Sequence, residues 1–490
     1  MNQSQDLNTA NASFDLQANP SVPTRHPLGF WFFFWGELAE RCSYYGMNAI
    51  LLLYMTDTLK FTKPSASRYL NWFIAGTYLT PLLGGFIADR FLGKYWTIVL
   101  FSIPYVIGNA LMLIPTELAL FSALVILAMG SGVIKPNIST LMGLTYDQQR
   151  HGQEQLRSSA FGWFYWAINV GSVISQTSMP YLRDEVGPNK AFLLPTILMA
   201  VALFIFALGK PFYATESLDH PTKSPEERKE QWRTLGRLMG VFILITVFWG
   251  VFKQYPSTWV LFTGEKIHTR ILTPHEPIPG QPMVDHAENL AGLSKWSPSY
   301  WWRWITEVMP YRIYSPDQFQ FLNSFFILTL LPLAMMLFKY LEKRGHNWRP
   351  TDKMQLGFFF VTLTPLWFVM ADQMAGHGKT SLIFLVLAYL SITLAEILIS
   401  PVGLELAFVI APKSMKGFIT ACFLLTIFVA SMINAEITPL YSMTVNGQRL
   451  CTPTTYFGLH AVVGFLAMIT FYFVAKPFNQ LLDQTNNKST

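Results

Sequence analysis

Charge is what this chain has least of. Asp, Glu, Lys and Arg make up 13% of its 490 residues, against roughly 25% in soluble domains. Hydrophobic residues reach 51% and aromatic residues 15%, so the composition excludes an ordinary soluble enzyme and points to lipid as the solvent. Cysteine is nearly as scarce. Cys42 and Cys422 fall within apolar runs and Cys451 stands alone, which leaves no disulfide framework and no paired-Cys or Cys/His zinc spacing. No metal site or cofactor is expected, and no nucleophile or phosphate-binding constellation appears at a credible spacing, so an enzyme is not expected either. A cleavable signal is also missing. The first 25 residues are polar, rich in Asn and Ser, and lead into Arg25-His26-Pro27, the pattern of a disordered tail.

What is present is a series of apolar runs long enough to cross a bilayer. They fall near 28–55, 67–88, 95–114, 117–144, 159–180, 191–209, 237–262, 319–341, 353–372, 379–410, 416–440 and 454–476, with Pro401 breaking the tenth. The expected protein is therefore all-α, with twelve transmembrane helices in two six-helix bundles. The expected organisation is a tail at 1–27, a first bundle at 28–209, a polar linker at 210–236, a second bundle at 237–476 and a tail at 477–490. The last part of the linker reads either as an amphipathic helix on the membrane surface or as a solvated connector. Basic residues concentrate in the short connections on the side of the two tails, including Arg90, Lys94, Arg150, Arg157, Lys413 and Lys416. By the positive-inside rule both termini lie in the cytoplasm of a multi-pass protein of the cell (inner) membrane. The net charge of +6 and the pI near 9.0 follow from those loops and need no nucleic acid. A long outer connection, 263–316, carries an aromatic cluster at 295–304 suited to the headgroup layer.

Charges inside the runs are few, and each needs a reason, because a charged group at bilayer depth costs on the order of 3 kcal/mol even on the lenient insertion scale. The first run contains Glu37-x-x-Glu40-Arg41-x-x-Tyr44-Tyr45-Gly46-Met47-Asn48. At roughly 100° per residue, Glu37, Glu40, Arg41, Tyr44, Tyr45 and Asn48 share an arc of about 140°, while Cys42, Ile50 and Leu53 lie opposite. Such a face belongs against protein or in a wet cavity. Either Glu40 or Glu37, one turn away, can partner Arg41. The other interior charges are Lys135 in Gly130-Ser131-Gly132-Val133-Ile134-Lys135-Pro136-Asn137, Lys253, Glu396 with Ser400 one turn later, and Glu405, which has no assigned role.

The first-run motif is similar to that of the proton-dependent oligopeptide transporters, a family of the major facilitator superfamily. Four further stretches agree in order and place: Gly84 to Lys94 around Asp89-Arg90, Ile134 to Ile138, Phe164 to Gly171, and Glu396 to Leu404. The resemblance covers about 28–476. It implies a proton-coupled symporter importing di- and tripeptides by alternating access, with protons as the coupling ion. Glu37, Glu40 and Arg41 would form the proton-coupling network, and Asp89 and Arg90 a conformational latch. Tyr44, Tyr45, Asn48, Lys135, Asn169, Lys253, Asn323, Glu396 and Ser400 would line the peptide pocket beside Arg41. Arg41 and Lys135 suit the peptide carboxylate, Glu396 the amine, and Asn169 and Asn323 the amide. A monomer in the lipid bilayer, with a short peptide as its partner, is the expectation.

Three positions depart from the family pattern. Asn48 stands where peptide carriers usually have Arg, Lys253 where many carry an acid, and Phe73 where some have Tyr. The lost Arg and acid are complementary. Lys253 then needs another partner, for which Glu396 or a substrate carboxylate is available, unless it snorkels to the interface. The same fold carrying nitrate, histidine or another amino acid, or acting as a peptide sensor without transport, are the alternatives.

Overall fold

The computed structural model describes residues 25–216, 225–271, 297, 299, 312–346, 348–410 and 416–486. Thirteen α-helices account for most of them: α1 (Leu28–Leu53), α2 (Lys63–Ile87), α3 (Gly93–Leu111), α4 (Glu117–Gln149), α5 (Glu154–Val186), α6 (Leu193–Leu208), α7 (Pro225–Phe252), α8 (Thr258–Lys266), α9 (Phe321–Lys343), α10 (Pro350–Ala375), α11 (Ile383–Ile410), α12 (Lys416–Ile437) and α13 (Pro453–Asn486). Nine stretches among the described residues cross a membrane on length and apolarity alone, one of them holding both α2 and α3. α1 carries three interior charges and α5 a polar face of Ser, Gln and Asn, so both fall outside that compositional count. With them, and with α7 and α8 forming one broken span, the helices cross twelve times.

Local chemistry explains where these helices start and stop. Thr62 caps α2 by accepting the Ser65 N–H at 3.3 Å, and Thr116 does the same for α4 through Ala119. Pro27, Pro64 and Pro350 stand at helix starts, where no N–H is needed. Gly187 ends α5 at φ +100, a region that L side chains avoid. The break between α7 and α8 falls at Lys253-Gln254-Tyr255-Pro256-Ser257. There the Gln254 amide donates to Asn434 Oδ1 at 3.0 Å and accepts from Tyr456 at 2.8 Å and Thr258 at 2.8 Å. A buried amide satisfied on both ends holds the break in one geometry.

Helices α1 to α6 pack chiefly on one another, and so do α7 to α13, with α2 against α12 and α5 against α9 crossing between the halves. In the first half α2 and α4 approach unusually closely. A Cβ on Gly132 would sit 1.8 Å from Thr80 Oγ1, and one on Gly84 would sit 2.6 Å from the Val133 Cα. Only glycine permits this contact, which Thr80 Oγ1 donating to the Ala128 carbonyl at 2.8 Å reinforces. Its consequence is that Tyr78 on α2 and Lys135 on α4 face the same space.

With twelve crossings both ends of the chain lie on one face, called here the termini face; the opposite one is the loop face. On the loop face polar bonds fasten the halves together. Arg183 on α5 binds the fully buried Asp317, which sits on the short 3-10 turn before α9, and also Ser315 at 2.7 Å. Lys63 pairs with Glu265 at 3.1 Å, Arg68 with Glu436 at 3.1 Å, and Asn71 bonds Thr438 at 3.2 Å. Deeper in, Ser324 and Ser172 share a hydrogen bond of 2.8 Å, and Gln320 donates to the Ala49 carbonyl at 3.0 Å.

The structure corrects several sequence-based boundaries. The segment expected as linker is helical from Pro225 and runs without a break into the seventh span, so its last part is neither a separate surface helix nor a connector. Pro401 does not interrupt α11, which continues to Ile410, and α13 extends to Asn486 beyond the expected tail boundary at 477. Two short antiparallel pairs were not anticipated: β1 (Arg270–Ile271) with β2 (Arg312–Ile313), and β3 (Thr444–Val445) with β4 (Gln448–Arg449). The 295–304 aromatic cluster lies outside the described residues apart from Ser297 and Ser299.

Candidate functional site

The motif face of α1 turns inward, as its arc requires. Glu37, Glu40 and Arg41 are almost completely buried. Arg41 hydrogen-bonds Glu40 through Nε, and the same nitrogen forms an ion pair with Glu37 Oε1 at 3.2 Å. The choice left open by the sequence is resolved as both acids on one guanidinium. Two carboxylates against one cation leave the cluster one negative charge in excess when all three are ionised. Both Glu37 oxygens, Glu40 Oε1 and Arg41 Nη2 lack a hydrogen-bond partner among the described residues, so the cluster is not saturated.

Arg41 also lies at the wall of a cavity of about 230 Å³ shared by both halves. Tyr44, Tyr45, Tyr78, Ser131 and Lys135 line it from the first half, and Thr420 and Leu424 on α12 from the second. Ser139 and Thr140, one turn past Lys135, line it toward the termini face. The Arg41 guanidinium stands 5.3 Å over the Tyr44 ring, whose hydroxyl lies 3.5 Å from Thr77 Oγ1. Lys135 is exposed to the cavity, with its ammonium 5.6 Å from the Tyr78 ring centroid.

The remaining expected residues sit apart from that lining. Asn323 on α9 donates to Glu396 Oε2 at 3.0 Å and to Thr393 Oγ1 at 3.1 Å, which holds the acid of α11 in place. Ser400 is half-buried one turn along. Asn169 is buried and donates back to its own helix at the Tyr165 carbonyl, 3.0 Å away, so its amide is engaged locally. Asn48 is buried, with Oδ1 unpartnered among the described residues.

Lys253 does not pair with Glu396 and does not snorkel to the interface. It is buried, with Nζ 3.4 Å from the Tyr78 hydroxyl, 5.0 Å from that ring's centroid, 5.3 Å from Phe252 and 5.6 Å from Trp249. Tyr78 is the residue that sequence reasoning missed. It joins the halves at the cavity and receives two ammonium groups, whereas Phe73, the position singled out on α2, is buried beside the Tyr44 ring.

The expected latch residues sit on the short turn of helix between α2 and α3. Asp89 binds Lys94 at 3.2 Å, while Arg90 is exposed and has no side-chain partner among the described residues. The partner role falls to Glu216, after α6. Its carboxylate accepts the Lys94 and Tyr95 N–H groups at 2.8 and 3.1 Å and meets the Lys94 ammonium at 3.3 Å, a negative charge on the positive end of α3.

Comparison with known proteins supplies the context for this geometry. The sequence matches the POT family over residues 95–224 and 296–452. It is 27% identical over 497 residues to a di-/tripeptide transporter of Lactococcus lactis subsp. lactis (strain IL1403), covering 93% of this chain and 96% of that one. It is 30% identical to solute carrier family 15 member 1 of Homo sapiens, over 69% of this chain and 51% of that longer protein. In three dimensions it superposes on the in meso crystal structure of the POT family transporter PepTSo with a TM-score of 0.76 at 24% identity, covering 93% of this chain and 99% of that one. A POT family transporter in complex with a thioalcohol conjugated peptide gives 0.75 at 21% identity, over 94% and 99%. The architecture is the major facilitator fold of twelve spanning helices, and more than half of the chain answers to one family description. The chain belongs to the POT family, and it is a transporter, not an enzyme.

Proposed function

We propose that this chain is a proton-coupled symporter that imports di- and tripeptides by alternating access, as a monomer in the cell membrane with both termini in the cytoplasm. The observation that carries the proposal is the Glu37–Arg41–Glu40 cluster at the wall of a cavity shared by the halves. A proton on one carboxyl leaves a neutral ion pair, and its loss restores the excess charge. A cluster that alternates between these states as its surroundings open and close couples proton movement to the rocking of the halves.

The rest of the site fits the ends of a zwitterion. Arg41 and Lys135 offer cations to the peptide carboxylate, and Glu396, steadied by Asn323, offers an anion to the amine. The arrangement corresponds to the inward-facing half of the cycle. Cross-half bonds close the loop face, and the cavity lining reaches Ser139, Thr140 and Thr420 toward the termini face.

Labelled dialanine in proteoliposomes tests the reading. Accumulation is expected under an inward proton gradient, with nitrate and histidine competing poorly. Glu40→Gln is expected to abolish gradient-driven accumulation while sparing exchange of internal for external peptide, which needs no net proton movement. A sealed vesicle in which the gradient drives nothing, or in which nitrate competes as well as peptide, defeats the proposal, and saturable binding without flux makes the chain a sensor.

A further inference from the structure

Three cations meet where the halves join around the cavity, and only Arg41 has carboxylates in contact. Lys135 forms no ion pair among the described residues, and the acid acting on it, Glu37, is within Coulombic range but engaged by Arg41. Lys253, on the other half, has the Tyr78 hydroxyl at 3.4 Å as its one polar contact among the described residues. Glu396 lies within Coulombic range of Lys253 but not within an ion pair, and its carboxylate accepts a hydrogen bond from Asn323. The two ammonium groups instead share one ring, each within 5.6 Å of the Tyr78 centroid. Aromatic faces soften the burial of Lys253, with Trp249 and Phe252 completing its cage. They do not supply an opposite charge. Two like charges beside a single phenol repel each other in a medium that screens them weakly, and a buried charge without a counterion is unfavourable.

An ordinary peptide brings one carboxylate, enough for one of these ammonium groups. The second is still left without a carboxylate in contact among the described residues. We propose that the preferred cargo carries a second anionic group, an Asp or Glu side chain, and that Lys253 is the residue selecting it, beside Tyr78 and across from Lys135. The proposal rests on the peptide-symport reading and narrows its substrate class. Tyr78 is the shared wall of the subsite: it lines the cavity and touches Lys253, so an acidic side chain next to its hydroxyl reaches both halves at once.

The test sets Ala-Glu against its neutral isostere Ala-Gln, with Ala-Lys and nitrate as further competitors of labelled Ala-Ala uptake. Ala-Glu is expected to reach half-inhibition at about one tenth of the Ala-Gln concentration, the size of one charge-assisted hydrogen bond set against a neutral one. In Lys253→Gln that ratio is expected to collapse to about one. The ratio is read within each protein, so a change in absolute rate does not obscure it. A thermal-shift titration of the solubilised protein with the same two peptides reads the preference without transport. Failure of Ala-Ala uptake with a retained Ala-Glu shift therefore counts against the symporter alone. Equal effects of Ala-Glu and Ala-Gln in the unmodified protein overturn the acidic-cargo assignment, as does nitrate competing as strongly as Ala-Glu, since the lysines would then form a simple anion trap.

Discussion

Two clusters of charge lie inside the same membrane-spanning bundle and solve the problem of burial in opposite ways. On α1, Arg41 is surrounded by its own counterions, one and four residues away on the same helix, and the cluster carries an excess of acid. At the α2–α7 junction Lys135 and Lys253 converge on Tyr78 from different helices and different halves, with an excess of base and no carboxylate in contact among the described residues. The first arrangement is complete within the protein and suits a group that exchanges a proton. The second is incomplete without something from outside, which suits a group that meets a substrate. Local compensation and its absence thus separate the coupling chemistry from the recognition chemistry.

Removing the central cation of the compensated cluster is the harshest way to test that separation. Arg41→Met leaves two buried carboxyls with no cation in contact. Breaking a buried pair in this way costs about 3–5 kcal/mol, so a large fall in the thermal midpoint of the solubilised protein is expected, together with loss of proton-driven uptake. Adding Glu37→Gln and Glu40→Gln to that variant is expected to return most of the stability and none of the coupling. If Arg41→Met alone is as stable as the parent, the cluster is not compensated as described.

An intermediate case is the loop-face pair of Arg183 and Asp317. Asp317 is fully buried, but Arg183 keeps Asp184 at 2.9 Å and Ser315 at 2.7 Å if that partner is lost. The expected cost of Asp317→Asn is therefore smaller, about 2 kcal/mol, or roughly a thirtyfold shift in an equilibrium. Because the pair joins the two halves, the shift is expected to appear as opening of the loop face. A membrane-impermeant maleimide acting on Ser324→Cys, in a background with Cys451→Ser, measures it. Labelling is expected to accelerate when Asp317→Asn is added, and an unchanged rate would show that the pair contributes nothing to closure.

Which parts of this site were legible in the sequence follows from how each is built. The α1 cluster was visible because its contacts are local: three charges in an apolar run on one helical arc constrain one another without any knowledge of the fold. The α2–α4 approach left its trace in Gly130-Ser131-Gly132 and Gly84. Tyr78 was not visible, since one phenol among 20 Tyr residues acquires its role only when α2, α4 and α7 are brought together. Phe73 marked the right helix at the wrong position. Lys253 was recognised as needing a partner, but its aromatic cage of Tyr78, Trp249 and Phe252 forms only where α2 meets α7, a contact between distant helices. The start of α7 was missed for a different reason. Pro225, Glu226 and Glu227 are ordinary helix-start signals, but the segment is too polar to resemble a span.

The mildest perturbation tests the same principle at the surface, where compensation matters least. Glu265, on the loop face, is paired with Lys63 at 3.1 Å and Arg449 at 2.8 Å and accepts the Tyr441 hydroxyl at 3.2 Å. Its partial burial by itself would raise the carboxyl, but the bonds from Arg449 and Lys63 outweigh that and hold it below its ordinary value of 4.5. A lowered folded-state value means that the stabilisation is fully present above the unfolded carboxylate range and disappears as pH falls through the lowered value. Both cations are largely exposed, so solvent screening keeps the effect to about 0.5–1 kcal/mol. Glu265→Gln is accordingly expected to lower the thermal midpoint by roughly one degree at pH 7. That gap should stay constant down to about pH 5 and close below 4.5 as the parent loses its own charge. A gap that persists unchanged into the acid range would mean that packing, not charge, holds this corner of the loop face, and that compensation there is incidental.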